Sequence, residues 1–187
     1  MAIELSPELK QTLSSIQEAL RAQLHDGSVG WVRPEGVHLT LKFLGEVARD
    51  RIPEIGLEIE AAARDADRFK VFLQDLGGFP SVRSPRVVWV GVREPTGTLA
   101  QIQKRIETEL ESAGFPRENR PFSPHLTIGR VRGQATEPRR RLGRVLEASA
   151  LAPEGEMEIE KISLMRSQLH PSGARYTQLA EAKLRSP

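Results

Sequence analysis

Two histidines set in the same tripeptide carry the clearest chemistry in this chain. His38-Leu39-Thr40 runs on into Leu41, and His125-Leu126-Thr127 runs on into Ile128. The chain has only four histidines, so half of them sit in this repeat. In a β-strand, side chains two apart share a face. His38 and Thr40 are therefore expected together on one face, and His125 and Thr127 on another. Leu39, Leu41 and Phe43 are expected on the opposite face of the first strand, and Leu126 and Ile128 on that of the second. Each unit then offers one imidazole and one hydroxyl on a firm support. Two such strands across a cleft would hold two titratable groups around a small anion.

That pairing suits a reaction that loses a proton at one place and gains one at another. Imidazole titrates near neutrality, with a reference pKa of about 6.5, so one ring can be a neutral base while its partner is a cationic acid. Phosphodiester hydrolysis fits: a base deprotonates water, an acid protonates the departing oxygen, and hydroxyls bond the non-bridging oxygens. Thr40 and Thr127 have the chemistry for the last role. No acidic cluster lies near either motif, so neither a metal nor any other cofactor is expected. A single tripeptide of this kind more often carries a structural or exposed histidine. Two copies, each after a proline-bearing loop, favour catalysis. His25, near a helix end where a cation suits the dipole, and His170, before Pro171, read as structural or surface residues.

The elements that must position these residues follow from periodicity. Ala2 to Leu5 reads as a short strand. Ser6-Pro7-Glu8 is a helix start, with an N-cap, a first-turn proline and an acid. Leu9, Leu13, Ile16, Leu20 and Leu24 continue it as an apolar stripe ending at Asp26-Gly27. Val37 to Leu44 is the first motif strand, Ile52 to Ala66 a helix, and Phe69 to Leu76 a strand before a turn or loop at Gly77-Gly78-Phe79-Pro80. Arg86 to Val92 is a buried strand with Trp89 in the core. Thr98 to Gln101 forms a capping box. Leu99, Ile102, Ile106 and Leu110 give the helical stripe, stopped at Gly114. His125 to Val131 is the second motif strand, and Gln134 to Ala150 is helical after Pro138. Met157 to Leu169 and Tyr176 to Leu184 are the last strands, joined by a turn at Pro171-Ser172-Gly173. Helix, proline loop and His-Leu-Thr strand thus occur twice in the same order. They lie too far apart for a solenoid, and two duplicated lobes are expected.

Composition narrows the class. The 187 residues include 39% hydrophobic and 28% charged side chains, which suits a globular protein with a real core. No cysteine is present, which excludes disulfides, thiolate zinc sites and cysteine nucleophiles. Arginine outnumbers lysine 21 to 6. Arginine's planar fork suits phosphate, although a solvated basic surface is the plainer reading. A net charge of +2 does not by itself indicate nucleic-acid binding. Residues 1–9 carry no basic run before an apolar one, and no stretch approaches the roughly 20 apolar residues that span a bilayer. No membrane partner and a cytoplasmic location are expected. Neither G-x-G-x-x-G nor a P-loop pattern is present, so mixed α+β with mostly antiparallel sheets is favoured over a doubly wound parallel sheet.

With these motifs in place, the chain resembles the 2H phosphoesterase superfamily. More narrowly, it resembles the RNA 2′,3′-cyclic phosphodiesterases, also called 2′-5′ RNA ligases. The resemblance covers nearly the whole chain. Its strongest strings are His38-Leu39-Thr40-Leu41-Lys42-Phe43-Leu44-Gly45-Glu46-Val47 and Pro121-Phe122-Ser123-Pro124-His125-Leu126-Thr127-Ile128-Gly129-Arg130. Ala2-Ile3-Glu4-Leu5, Gly78-Phe79-Pro80, Pro85 to Val92 and Gly173-x-x-Tyr176 add to it. One departure is the start, because the family usually has a few more residues before Ala2-Ile3-Glu4-Leu5. A shortened first strand or an upstream start codon is the expectation.

The resemblance implies a single domain over 1–187, α+β and bilobal, with two pseudo-symmetric lobes that each supply one His-x-Thr-x motif. Antiparallel sheets would flank a central cleft, with helices outside. It implies hydrolysis of RNA 2′,3′-cyclic phosphate ends to 2′-phosphomonoesters, and a reversible, ATP-independent 2′-5′ joining reaction. RNA ends would be the partner, and the protein a monomer. His125 would be the base that activates water, His38 the acid that protonates the 3′ oxygen, and Thr40 and Thr127 the phosphate ligands. Arg130 lies five after His125, so strand parity puts it on the opposite face unless a bulge re-aims it. It is a candidate RNA contact or a support behind the site. Phe79, Tyr176 and Trp31 are candidates for base stacking, with core roles weighed equally for Phe79 and Tyr176. The rival readings are a phosphodiesterase for another small cyclic phosphate, and a non-catalytic nucleotide or RNA binder. Intact histidines and threonines at both motifs argue against the binder.

Overall fold

A computed structural model describes residues 1–149, 151–170 and 173–186. Ala150 at the end of the expected fourth helix, and Pro171-Ser172 of the expected last turn, lie outside the described residues.

The elements follow local sequence in most places. Strand β1 (Ala2–Glu4) leads into helix α1 (Pro7–Leu24). The Ser6 hydroxyl accepts from the Leu9 amide, a cap worth about 1 kcal/mol. All five residues of the apolar stripe are buried, and Gln17 is buried among them. The helix ends at Leu24, before the expected Asp26-Gly27 stop, because His25 itself takes the left-handed conformation (φ 51°). Strand β2 (Val29–Trp31) and a 3-10 turn (Pro34–Gly36) precede β3 (His38–Thr40). Helix α2 (Ile52–Ala63), β4 (Phe69–Phe79), β5 (Val87–Arg93) and α3 (Thr98–Ser112) follow. Then come β6 (His125–Val131), α4 (Thr136–Ala148), β7 (Glu156–Ile159), β8 (Lys161–Gln168) and β9 (Arg175–Lys183).

Four expectations need correction. The Gly77-Gly78-Phe79 segment is not a turn but the end of β4, paired residue for residue with Trp89, Val88 and Val87. The capping box at Thr98 does not form. Gly97 caps the helix in the left-handed region, and the Glu94 carboxylate accepts from the Thr96 and Leu99 amides instead. Helix α4 begins before Pro138, which the first turn tolerates because that amide needs no helical partner. The expected strand from Met157 onward is two strands. Its first part pairs with β4 and its second with β9 and β1, so the chain changes sheets at Glu160.

Among the described residues two antiparallel sheets form, ordered β3-β1-β8-β9 and β2-β6-β5-β4-β7, together with four α-helices. Neither sheet belongs to one half of the chain. Strand β2 edges the sheet that holds the second motif, while β8 and β9 complete the sheet that holds the first. One contiguous apolar cluster runs through both, from Ile3, Leu39 and Ile162 to Val88, Leu126 and Ile128. No helix is long and apolar enough to cross a membrane among the described residues.

Candidate active site

The first histidine is placed by a short ladder. Strand β3 pairs with β1 in the register Glu4↔His38, Ile3↔Leu39, Ala2↔Thr40. Paired residues share a face, so His38 and Thr40 stand with Glu4 while Leu39 enters the core. Leu41 is also buried, but Phe43 is 78% exposed, contrary to the expected alternation. The cause is Lys42, which turns inward. Its ammonium pairs with buried Glu107 on α3 and donates to the Pro116 carbonyl at 2.7 Å, so the next side chain turns out.

The second histidine stands on β6, between β2 and β5, and β3 lies against β6 where the two sheets meet. The ladder from β5 runs Gly91↔His125, Val90↔Leu126, Trp89↔Thr127 and then skips to Val88↔Gly129. Ile128 is therefore the extra residue of a β-bulge. Leu126 and Ile128 point into the core, and the open side of Gly129 faces Val29 and Trp31 on that same face. Parity reverses beyond the bulge. Arg130 pairs with Val87, which pairs with Phe79, whose ring meets that of His125. Arg130 thus shares the face of His125, as only a bulge permits. Gln17, 2% exposed, holds the bulge from behind. Its amide donates to the Ile128 carbonyl at 2.8 Å and to the Val32 carbonyl at 2.7 Å.

The two imidazoles are held alike. Each Nδ1 meets the backbone carbonyl two residues earlier: Gly36 for His38 at 3.0 Å, and Ser123 for His125 at 2.8 Å. A carbonyl only accepts, so Nδ1 carries the proton and Nε2 is left for other chemistry. Each ring also has an aromatic neighbour edge-on, at 71° for His38 and 82° for His125. Tyr176 stands against His38 with centroids 4.7 Å apart, and Phe79 against His125 at 5.0 Å. Tyr176 also packs against Gly36. Burial holds the His38 pKa below the usual imidazole value, against the opposing pull of the Gly36 carbonyl and the Glu4 carboxylate.

Trp89 is not in the core. Its neighbours Val88 and Val90 are, while the half-buried indole lies on the His125 face, 5.3 Å from Phe79 and 6.4 Å from His125. It lies flat across Gly77, where a Cβ would come within 2.3 Å of the ring. Trp31 points the other way, under the Arg21 guanidinium, and Phe122 packs against the core. His170 is exposed in the described part of the last loop. An open cavity of about 350 Å³ lined by Asp65, Arg68, Thr98 and Arg105 lies at the other end of β4 and touches none of these residues. Among the described residues, no group of three or more His, Asp or Glu is disposed to hold a metal ion.

Sequence reasoning overlooked Gln17 and the Lys42–Glu107 pair, and placed Trp89 in the core rather than beside His125. Gln17 left a trace, a lone amide inside an apolar helical stripe. Trp89 left another, a large ring across the sheet from Gly77. The ion pair left none, because its partners are far apart in sequence.

Residues 5–171 match the family described as the 2′-5′ RNA ligase superfamily, and the chain belongs to it. A protein of Methanothermobacter thermautotrophicus named RNA 2′,3′-cyclic phosphodiesterase is 34% identical over 184 residues, 98% of this chain and 97% of its own. One of the same name from Aeropyrum pernix is 37% identical over 155 residues, covering 83% of this chain and 86% of its own. Among solved structures, a protein of Thermus thermophilus superposes with a TM-score of 0.80 at 25% identity, covering 99% of this chain and 96% of its own. E. coli LigT complexed with 3′-AMP gives 0.74 at 28% identity, with 98% and 95% covered.

Proposed function

We propose that this protein opens 2′,3′-cyclic phosphates at RNA ends, without a metal, leaving a 2′-phosphomonoester. The observation that carries the reading is the matched support of His38 and His125, each with Nδ1 tied to a carbonyl and Nε2 free, on two adjoining strands. Relatives aligned over 98% and 83% of this chain bear the name of that activity.

His125 takes a proton from water as its oxygen attacks phosphorus. The bond from phosphorus to the 3′ oxygen breaks, and His38 delivers a proton to that oxygen. Thr40 and Thr127, on the faces of the two histidines, bond the non-bridging oxygens and stabilise charge as it grows. Arg130 adds a cation on the same face. A 5′-hydroxyl in place of water would join two ends through a 2′-5′ bond, with no ATP needed because the strained ester supplies the leaving group. The acid role requires His38 to be charged, whereas burial favours its neutral form. An arriving phosphate anion restores the charged form, since a nearby opposite charge raises an imidazole pKa.

A second reading exchanges the two roles, and the lowered His38 pKa favours it. The test uses an RNA oligomer with a terminal cyclic phosphate, in EDTA, and a matching substrate with sulfur at the 3′ position. A 2′-phosphate product is expected. Sulfur leaves without protonation, so His38→Ala should be rescued on the thio substrate and His125→Ala should not. Rescue of His125→Ala alone would exchange the roles. An unopened cyclic phosphate would overturn the reading and favour another cyclic phosphate or a binding role.

A further inference from the structure

The bulge at Ile128 re-aims more than Arg130. Arg132 follows two residues later, and its amide still donates to the Ser28 carbonyl at 2.7 Å, so the strand geometry persists to that point. Its side chain lies over Gly30: the Cβ that Gly30 lacks would sit 3.4 Å from the Arg132 Nε. Gly30 pairs with Arg130, so the bare side of Gly30 is the face of Arg130 and of His125. His125, Thr127, Arg130 and Arg132 therefore form one line along β6 and just past its end. The step from Arg130 to Arg132 is about 7 Å at the usual strand rise, on the scale of successive phosphates in an extended single strand. Both arginines are exposed. The carboxylates that pair with other arginines, such as Asp26 with Arg141 and Glu137 with Arg144, are spent elsewhere. Among the described residues no ion pair joins Arg130 or Arg132 to an acid.

From this line we infer that Arg132 holds the phosphodiester immediately upstream of the terminal cyclic phosphate, so that the site is built for the end of an RNA strand rather than for a free cyclic nucleotide. The inference rests on the proposed cyclic phosphate chemistry. A guanidinium laid over a glycine is pre-set to offer two donors to one phosphate. A strand whose terminal phosphate lies between the histidines would run its backbone out along β6, where a solvated basic residue of no function would be indifferent to it.

Kinetics on two substrates test this: a 2′,3′-cyclic mononucleotide, which has no upstream phosphate, and an oligoribonucleotide ending in the same group. For Arg132→Ala, KM for the oligomer should rise roughly three- to tenfold with kcat little changed. The slope of log(kcat/KM) against log salt should become shallower by about 0.7, the value for one single-strand phosphate contact. Mononucleotide kinetics should match wild type, and Arg132→Lys should recover most of the salt slope. Equal KM and slope for wild type and R132A on the oligomer would overturn the inference, as would equal losses on both substrates. If wild type opened neither substrate, the cyclic phosphate reading itself would fall. The stripe is then judged by fluorescence anisotropy with a labelled 3′-phosphorylated oligomer, where unchanged affinity in R132A overturns it and a loss with a shallower salt slope supports it.

Discussion

At the scale of single residues, the two histidines should prove indispensable. His38→Ala and His125→Ala should each lower turnover by roughly 10²–10⁴-fold, the range for losing one proton-transfer group. Thr40→Ala and Thr127→Ala should cost less, and circular dichroism should show all four folded. Near-wild-type turnover in either histidine variant would remove that residue from the site. His38 also carries a stability signature. Its pKa is lowered in the fold, so the unfolded chain takes up a proton first, near pH 6.5. The stability this ring contributes is present above about pH 6.5 and is lost as the pH falls from there toward the folded value. Urea midpoints between pH 7 and 5 should therefore fall more steeply for wild type than for His38→Gln, and parallel curves would count against a depressed pKa. In NMR titrations, inorganic phosphate should move the His38 midpoint upward.

At the scale of elements, two supports decide where the site residues point. The first is the inward turn of Lys42, which ends the motif strand and fastens it to α3. Lys42→Met would leave the Glu107 carboxylate buried without its cation, at a cost of about 3–5 kcal/mol. Adding Glu107→Leu should return part of that loss, although the Glu118 amide would then lack its acceptor. Denaturant unfolding of the single and double variants measures both, and a double variant weaker than Lys42→Met would refute the account. The second support is the stack of Trp89 on Gly77. Gly77→Ala forces the indole to tilt, because the new carbon cannot share its space. It should cost about 1–3 kcal/mol and, through Phe79 and His125, reduce turnover along with a shift in tryptophan emission. Unchanged emission and turnover would mean that the ring does not order the site. The β6 bulge belongs at this scale too. Period-two reasoning put Arg130 on the wrong face unless the strand was interrupted, and the only local hint of an interruption was Gly129 inside the strand. The Gln17 amide that holds it comes from α1.

At the scale of the whole molecule, each sheet is assembled from both ends of the chain, and one apolar cluster joins them. Unfolding one sheet would strip partners from the other. Calorimetry should therefore give a single transition whose calorimetric and van't Hoff enthalpies agree, and two resolved transitions would mean independent lobes. This interleaving separates what was legible in sequence from what was not. The repeated His-Leu-Thr units, the apolar stripes of α1 and α3, the capping serine and the full extent of β6 were legible, because strand and helix periods and cap chemistry are local. The exclusion of thiol chemistry was legible from composition alone. Local signals also gave false readings. Two glycines suggested a turn where close neighbours in the sheet, Trp89 over Gly77 and Pro85 over Gly78, favour glycine within a strand, and one apolar run hid two strands of different sheets. The choice of sheet for β2, β7 and β8, the faces of Trp89 and Arg130, the burial of Lys42 and the depressed pKa of His38 depend on partners far away along the chain. A sequence period fixes which residues share a face only while the strand runs unbroken, as from His125 to Thr127. Only the packed structure determines which face meets the cleft, because that depends on neighbours the chain brings together by folding.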